Sequence, residues 1–326
     1  MTGNILVTGG AGYIGSMVVT HLLANNANVT VIDNLSTGHR ENVMCSQFYP
    51  VDIANEATMI KIMREHRIDA VMHLAASTSV PESVSNPLSY YLNNTANTLQ
   101  MLKYCVKCDV KHFVFSSTAA VYGECNRILS EDMTCNPITP YGQSKLMSEQ
   151  MIQNVARASQ LRAVILRYFN VIGAHARGLV GPRMREPGNL VPRIIKTAFG
   201  EQDELLIYGN DYATKDGTAI RDYVHVEDIA KAHLAALDYL QGGGETTICN
   251  VGYGEGHSVL DIVKSVEALV AKKLPVSFQS RRPGDLPEVI ADNRHIQKTL
   301  KWHPQYQNIH EALKTAVEWQ RKLRDI

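Results

Sequence analysis

The sequence predicts an α/β fold: a doubly wound parallel sheet, helices on both of its faces, with a second, smaller α/β lobe. Three observations carry this. Short β-rich runs alternate with amphipathic helical segments through the first half. Those runs are almost continuously apolar, as strands covered on both faces must be. Near residue 170 the texture changes to Gly- and Pro-rich connections, which marks the start of the second lobe.

The strands expected in the first half are 4–8 (NILVT), 28–32 (NVTVI), 47–51 (QFYPV), 70–75 (AVMHLA), 112–117 (HFVFSS) and 163–169 (AVILRYF). Helical patterns lie between them, at NEATMIKIMREHR and TANTLQMLKYCVK. In the second half the strands LLIYG, YVHV, TTICNV and PVSFQ alternate with helices near 227–240, 258–271 and 308–323. We therefore expect a first domain over 1–170, joined by chain returning near 222–252, and a second lobe made mainly of 171–326.

Composition narrows the function classes. The 326 residues are 45% hydrophobic and 20% charged, with 32 basic and 32 acidic side chains. A balanced charge gives no electrostatic footprint for nucleic acid. No apolar run reaches the roughly 18 residues of a membrane span, and Met1 leads directly into a strand without a basic, cleavable leader. Six cysteines in a chain this long do not form a disulfide framework, so the expected setting is the cytoplasm. Cys105 and Cys108 make a C-x-x-C, but Cys45, Cys125, Cys135 and Cys249 offer no second pair for zinc. The twelve histidines lack metal spacing, and no metal ligand is assigned.

The first strand runs into TGGAGYIGS, where Gly9, Gly12 and Gly15 are spaced three apart. Glycines are needed where a chain turns sharply and its N–H groups approach a pyrophosphate at a helix start. Alone the pattern is weak, but here it follows a strand, opens a helix and lies in a βαβ unit ending VTVID. Asp33 ends that unit, about 20 residues on, where a carboxylate accepts the ribose hydroxyls of an adenosine and repels a 2′-phosphate. This favours NAD over NADP and a Rossmann-like domain. Asp52, after the third strand, fits either an adenine contact or a helix cap equally well.

In PYGQSKLMSE, Tyr141 and Lys145 are four apart and share a helix face, with Thr139 and Pro140 as cap and first residue. Met147, Met151 and Val155 continue an apolar stripe. Gly142 costs helix propensity, about 1 kcal/mol, which is tolerable where something must pass close. A phenol of pKa near ~10 is a poor base at neutral pH. A neighbouring ammonium and a pyridinium would both lower that value. Ser116, Ser117 and Thr118 end a strand and bring hydroxyls to the same sheet edge.

The glycine turn, the Asp after the second strand, the Ser/Thr cluster and the Y-x-x-x-K, in this order, resemble the extended short-chain dehydrogenase/reductase family. In the second half, LRYFNVIGAH, GNLVPRII, YGNDYATKDGTAIRDYVHVEDIAKAH and RRPGDLPEVIAD resemble the UDP-glucose (UDP-galactose) 4-epimerase branch of that family. The likeness spans nearly the whole chain. It implies catalysis by Tyr141, Lys145 and Thr118. It implies NAD held by Gly9, Gly12, Tyr13, Ile14, Gly15, Asp33, Asn34, Asp52, Ile53, Leu74, Ala75, Ala76, Asn93, Ser116 and Tyr168, besides the catalytic pair. For the UDP-sugar it implies Thr118, Asn170, Asn189, Leu190, Tyr208, Arg221, Arg282, Asp285 and Val289. Arg221 and Arg282 suit a diphosphate and Asp285 a ribose.

The activity implied is reversible inversion at C4 of a UDP-hexose through a 4-keto sugar, in a homodimer. Lys145 would hold the nicotinamide ribose and keep Tyr141 acidic. Two departures stand out: Thr78 replaces a lysine common in relatives, and Val289 stands where some carry a tyrosine that closes the pocket to N-acetyl groups. Valine is smaller, so UDP-N-acetylhexosamines are expected to be tolerated. Ala119-Ala120 replaces the acidic pair of sugar-nucleotide dehydratases, which argues against dehydration. UDP-glucuronate epimerases or decarboxylases are the nearest alternative, opposed by the GNDYATKDGT segment. A non-catalytic dinucleotide-binding scaffold would be expected to lose Tyr141 or Lys145.

Overall fold

A computed structural model describes residues 3–124, 128–183, 188–282 and 284–324. The chain opens with β1 (Asn4–Thr8), α1 (Tyr13–Ala24), β2 (Asn28–Ile32), β3 (Phe48–Tyr49), α2 (Glu56–Glu65) and β4 (Ile68–His73). Two short helices follow, α3 (Val80–Ser85) and α4 (Pro87–Tyr90), then a π-helical turn over Tyr91–Ala96 and α5 (Asn97–Lys107). Next come β5 (His112–Thr118), α6 (Pro140–Ala158), β6 (Arg162–Tyr168) and β7 (Asn170–Ile172). Beyond them lie α7 (Leu190–Ala198), β8 (Leu205–Tyr208), β9 (Ile220–His225), α8 (Val226–Gln241) and β10 (Thr247–Val251). The chain ends with β11 (Gly256–Ser258), α9 (Val259–Val270), β12 (Val276–Gln279), β13 (Glu288–Val289), α10 (Arg294–Leu300) and α11 (Ile309–Arg324).

Seven strands form one all-parallel sheet in the order β10-β6-β5-β4-β1-β2-β3. The winding reverses between β1 and β4, and ligands of such sheets bind at that switch, beyond the carboxyl ends of the strands. Each face of the sheet carries its own apolar cluster. One contains Met17, Val18 and Leu22 of α1 with Ile229 and Leu237 of α8; the other contains Met59, Met63, Met101 and Ile152. Each such side chain removed from water contributes about 1.5–3 kcal/mol, which explains why these helices are amphipathic.

A smaller sheet centres on β9, flanked by β11, β13 and β7, and β8 pairs with β12. A third cluster joins α7, α9 and α11 beneath it.

Differences from the sequence reading have local causes. β3 covers only two of the five residues expected, because Pro50 has no N–H for the ladder. The α3–α4 pair was not foreseen: SVPESVSNPL is poor in helix formers, yet Ser79 caps α3 by accepting from the Glu82 N–H, and Pro87 restarts the helix after Asn86 breaks it. α6 starts as expected, with the Thr139 hydroxyl accepting from the Gly142 N–H at 3.2 Å. Its buried face differs from an apolar stripe, however. Ser144, Lys145, Ser148, Glu149 and Ile152 are buried, while Met147 is exposed.

Candidate active site

The glycine turn lies at the switch point. Gly9 has a positive φ of +72°, and a Cβ there would stand 2.7 Å from the Ala75 nitrogen; a Cβ on Gly15 would stand 2.0 Å from the Gly9 carbonyl oxygen. No larger residue fits either place. α1 begins at Gly12 with no side-chain cap and no acid in its first turn, so its positive end is left uncovered for an anion. Tyr13 and Ile14 stand in that turn, and the Tyr13 hydroxyl donates to the Gly173 carbonyl at 2.5 Å. A dinucleotide pyrophosphate fits this cradle.

Asp33 is nearly buried, and its carboxylate is held in place by the Ala11 N–H (3.0 Å) and the Leu35 N–H (2.8 Å). Two lone-pair positions remain for ribose hydroxyls. Asn34 donates to Asp52 at 2.8 Å, and Asp52 also accepts from the Ala54 N–H, as a turn cap does. Ile53 is buried below them, where its carbonyl takes the Tyr104 hydroxyl. On the other side of the switch, the Leu74 N–H bonds the Thr8 carbonyl and the Ala75 N–H approaches the Thr8 hydroxyl. Ala76 and Ser77 follow; Asn93 donates to the Ser77 hydroxyl, and Thr78 is exposed.

At the end of β5, successive side chains alternate as a strand requires. The Ser117 hydroxyl turns inward and donates to Glu149. Thr118 accepts from the Ala120 N–H at 3.1 Å, and its hydroxyl is the polar neighbour of the Tyr141 phenol. The Ala120 carbonyl oxygen is the object that passes close to α6: a Cβ on Gly142 would lie 2.5 Å from it.

Lys145 is buried and donates to the Ser116 carbonyl at 2.8 Å, with its ammonium 4.7 Å from the Phe115 ring centre. Burial pushes the Lys145 amine down to about 7, opposed by the charge of Glu149. The phenol of Tyr141 is raised by burial, opposed by the Thr118 hydroxyl. A positive charge brought near the ring would act in the same direction as Thr118 and lower it.

Tyr168 ends β6 beside this pair. Its hydroxyl donates to His233 Nε2 at 2.6 Å, since His233 Nδ1 donates to the Ile229 carbonyl. Burial raises the Tyr168 phenol, opposed by the nearby Ser116 hydroxyl. Behind Lys145 lies an ion pair that sequence reading missed: Arg167 Nε and Nη2 reach Glu149 at 3.0 and 2.7 Å, both residues buried. They are 18 residues apart on different elements, so no local pattern announces them.

In the smaller lobe, Asn170 starts β7 opposite Tyr223, and Asn189 and Leu190 open α7. Tyr208 ends β8, with the Arg282 guanidinium stacked 3.9 Å over its ring centre. Arg221 Nη2 bonds Asp285 at 2.7 Å and its Nη1 holds the Leu286 carbonyl. The diphosphate and ribose candidates thus come as a charge pair rather than as two independent groups. Val289 is paired with Arg221 across β13 and β9 and is half-buried. Cys125 lies outside the described residues; the five other cysteines carry free thiols.

Comparison with known proteins places this architecture. Residues 5–252 match the NAD dependent epimerase/dehydratase family. The UDP-glucose 4-epimerase of Azospirillum brasilense is 44% identical over 98% of this chain and 92% of its own. The structure of a Stenotrophomonas maltophila UDP-glucose-4-epimerase with bound NAD and formylated UDP-arabinopyranose matches with a TM-score of 0.96 and 36% identity, covering 99% of both chains. The UDP-Glc/GlcNAc 4-epimerase of Campylobacter jejuni matches with a TM-score of 0.87 and 39% identity, over 98% of this chain and 100% of that one. The chain belongs to the NAD dependent epimerase/dehydratase family, in the branch of its UDP-glucose 4-epimerases.

Proposed function

We propose that this protein is an NAD-dependent enzyme that reversibly inverts C4 of UDP-hexoses through a 4-keto sugar. The observation that carries the reading is Tyr141 beside the Thr118 hydroxyl, one helical turn from a buried Lys145 that bonds the Ser116 carbonyl, at the sheet edge next to the uncovered glycine turn. The residues of 1–170 with the returning 222–252 form the NAD-binding domain, and the remainder of 171–326 binds the UDP-sugar.

NAD, when bound, would supply the hydride chemistry in both directions. Gly9, Gly12, Tyr13, Ile14 and Gly15 would hold its pyrophosphate. Asp33 would take the adenosine ribose, with Asn34, Asp52 and Ile53 beside the adenine. Leu74, Ala75, Ala76, Asn93, Ser116 and Tyr168 would line the nicotinamide end. Tyr141 accepts the proton of the 4′-hydroxyl and later returns it, with Thr118 sharing the hydrogen bond and Lys145 holding the nicotinamide ribose. Arg221, Arg282 and Asp285 grip the nucleotide with Asn170, Asn189, Leu190 and Tyr208. An anchored nucleotide and a loosely held hexose let the ketone present either face.

A second copy of the chain is the proposed partner. Val84, Leu88, Leu92, Leu99 and Val106 are exposed apolar side chains recurring four and seven residues apart along α3, α4, the π turn and α5, and Met147 of α6 is exposed as well. Leu88 is 73% and Leu92 67% exposed, and solvent-facing leucines in such a row favour a homodimer. No helix among the described residues is long and apolar enough to cross a membrane. We place the protein in the cytoplasm, with no role for nucleic acid. The test is incubation with UDP-galactose, UDP-N-acetylgalactosamine and UDP-glucuronate without added cofactor. Epimer formation from a UDP-hexose is expected; conversion of none of the three overturns the reading.

A further inference from the structure

The α3–α4 pair brings a second tyrosine against the catalytic one. Tyr90 ends α4 and is fully buried. Its ring stands perpendicular to that of Tyr141, with the planes 87° apart and the centres separated by 6.4 Å. Aromatic rings prefer such an edge-to-face arrangement, at about 4.5–7 Å between centres.

The contact meets a need set by the position of Tyr141 in its helix. Helical side chains point back toward the N-terminus and lean on the preceding turn. Tyr141 is the second residue of α6, so its own helix offers no preceding turn to lean on. The backbone there is fixed, by the Thr139 cap and by the Ala120 carbonyl packed against Gly142. The half-buried ring still has two torsions, and a neighbouring element has to restrain them.

Tyr90 is itself anchored. Its hydroxyl donates to Glu82 Oε2 at 2.9 Å, and the Glu82 N–H bonds the Ser79 hydroxyl that caps α3, at 3.4 Å. Burial, then the hydrogen bond and charge of Glu82, hold the Tyr90 phenol well above its ordinary range. That phenol stays protonated, and its one hydrogen is committed to Glu82. Of the two tyrosines, Tyr141 neighbours the Thr118 hydroxyl and Tyr90 faces a carboxylate. The second therefore supplies shape rather than a proton.

We infer that Tyr90 is a positioning residue for the proton transfer: its ring, locked through Glu82, holds the Tyr141 ring at the angle that brings the phenol oxygen to Thr118 and the sugar hydroxyl. The inference rests on the function proposed above. It acts through Tyr141 rather than on the sugar, and it gives a task to two short helices that propensity does not predict.

The test compares Tyr90→Phe, which keeps the ring, with Tyr90→Leu, which keeps an apolar side chain without it, each alone and combined with Tyr141→Phe. The readings are kcat and KM for UDP-galactose per NAD-loaded protomer, and the flip rate of the Tyr141 ring by NMR of ring-labelled tyrosine. Displacing a reacting atom by about 1 Å costs on the order of 100-fold. Tyr90→Leu is expected to lose about tenfold or more in kcat with KM held within about twofold, the pattern of an interaction felt in the transition state. Tyr90→Phe should stay within about threefold, since the ring contact remains. In the Tyr141→Phe background, Tyr90→Leu should cost less than about twofold more, because both changes act on one proton transfer. The Tyr141 ring should flip faster in Tyr90→Leu than in Tyr90→Phe.

A Tyr90→Leu kcat within about twofold of wild type overturns the inference, as does a rise in KM at constant kcat, or losses that multiply with Tyr141→Phe. Equal losses in Tyr90→Phe and Tyr90→Leu also overturn it, since they assign the effect to the hydroxyl. If Tyr90→Leu does not fold, Tyr90→Met, whose flexible side chain fills the space without a ring, decides on the same readings. A wild-type protein that converts no UDP-hexose sinks the functional reading instead. The flip rate then still tests the brace, and an unchanged rate in Tyr90→Leu refutes it.

Discussion

Replacing Glu149 by Gln tests the buried electrostatics behind the active site. Glu149 is fully buried and receives the Ser117 hydroxyl and both Arg167 Nε and Nη2. Arg167 is 3% exposed, and its Nη1 already lacks a hydrogen-bond partner. Glutamine keeps the shape but removes the charge, leaving a guanidinium uncompensated in the core. Breaking a buried pair from one side costs about 3–5 kcal/mol. At roughly 2 °C per kcal/mol for a chain of this size, Tm should fall by about 6–10 °C.

A second effect is catalytic. Lys145 is held at about 7 by burial, and Glu149 is the charge that keeps it from falling further. The ammonium exists below that pKa and is lost as pH rises through it. Without Glu149 the loss begins at lower pH, so the alkaline limb of kcat moves toward acid. Differential scanning fluorimetry and a kcat–pH profile measure both effects. The double change Glu149→Leu with Arg167→Met should recover much of the stability but not the alkaline limb, because two charges leave the core together while Lys145 still lacks its anion. A Glu149→Gln protein melting within about 1 °C of wild type would refute the reasoning. So would a full stability loss with the limb unmoved, for the link to Lys145.

Four further outcomes follow from the same geometry. Tyr141→Phe should lower kcat by about 10²–10⁴-fold with the fold intact, read by coupled assay and circular dichroism; near-wild-type turnover would assign the proton transfer elsewhere. Gly15→Ala puts a methyl 2.0 Å from the Gly9 carbonyl oxygen, so the protein should purify with less NAD, measured by absorbance after denaturation. Val289→Tyr, beside Arg221, should lower turnover of UDP-N-acetylglucosamine relative to UDP-glucose by about tenfold or more; an unchanged ratio removes Val289 from specificity. Leu92→Glu with Leu99→Glu should turn a dimer into a monomer in light scattering, since both leucines face solvent in the single chain.

What was legible in the sequence was whatever the backbone itself demands. The glycine turn could be read because no side chain fits beside Gly9 and Gly15, and Asp33 because a βαβ unit ends there. Tyr141 and Lys145 were legible through helical periodicity, and Thr139-Pro140 through capping chemistry. The raised phenol was not, because burial is a property of the packed chain and here it dominates. The Glu149–Arg167 pair was hidden for a related reason, as were the bonds of the buried Asn94 amide to Ser77 and Ser144: the partners come from separate elements. The polar run NNTAN did carry a faint signal, since three asparagines in a helical pattern ask for partners.

The bond from the Tyr13 hydroxyl to the Gly173 carbonyl has a consequence for the coenzyme's residence time. Gly173 lies in a strap whose Ala174 and Ala176 N–H groups are pinned by Thr315 of α11 and Glu227 of α8. Opening the glycine turn means parting the phenol from that strap, or dragging the strap from two anchors at once. A dinucleotide seated on that turn is therefore expected to stay bound from one turnover to the next, which a slow NAD off-rate would show. A reaction that borrows a hydride and restores it within one cycle gains from such retention. It keeps the enzyme's redox state independent of the free NADH pool around it.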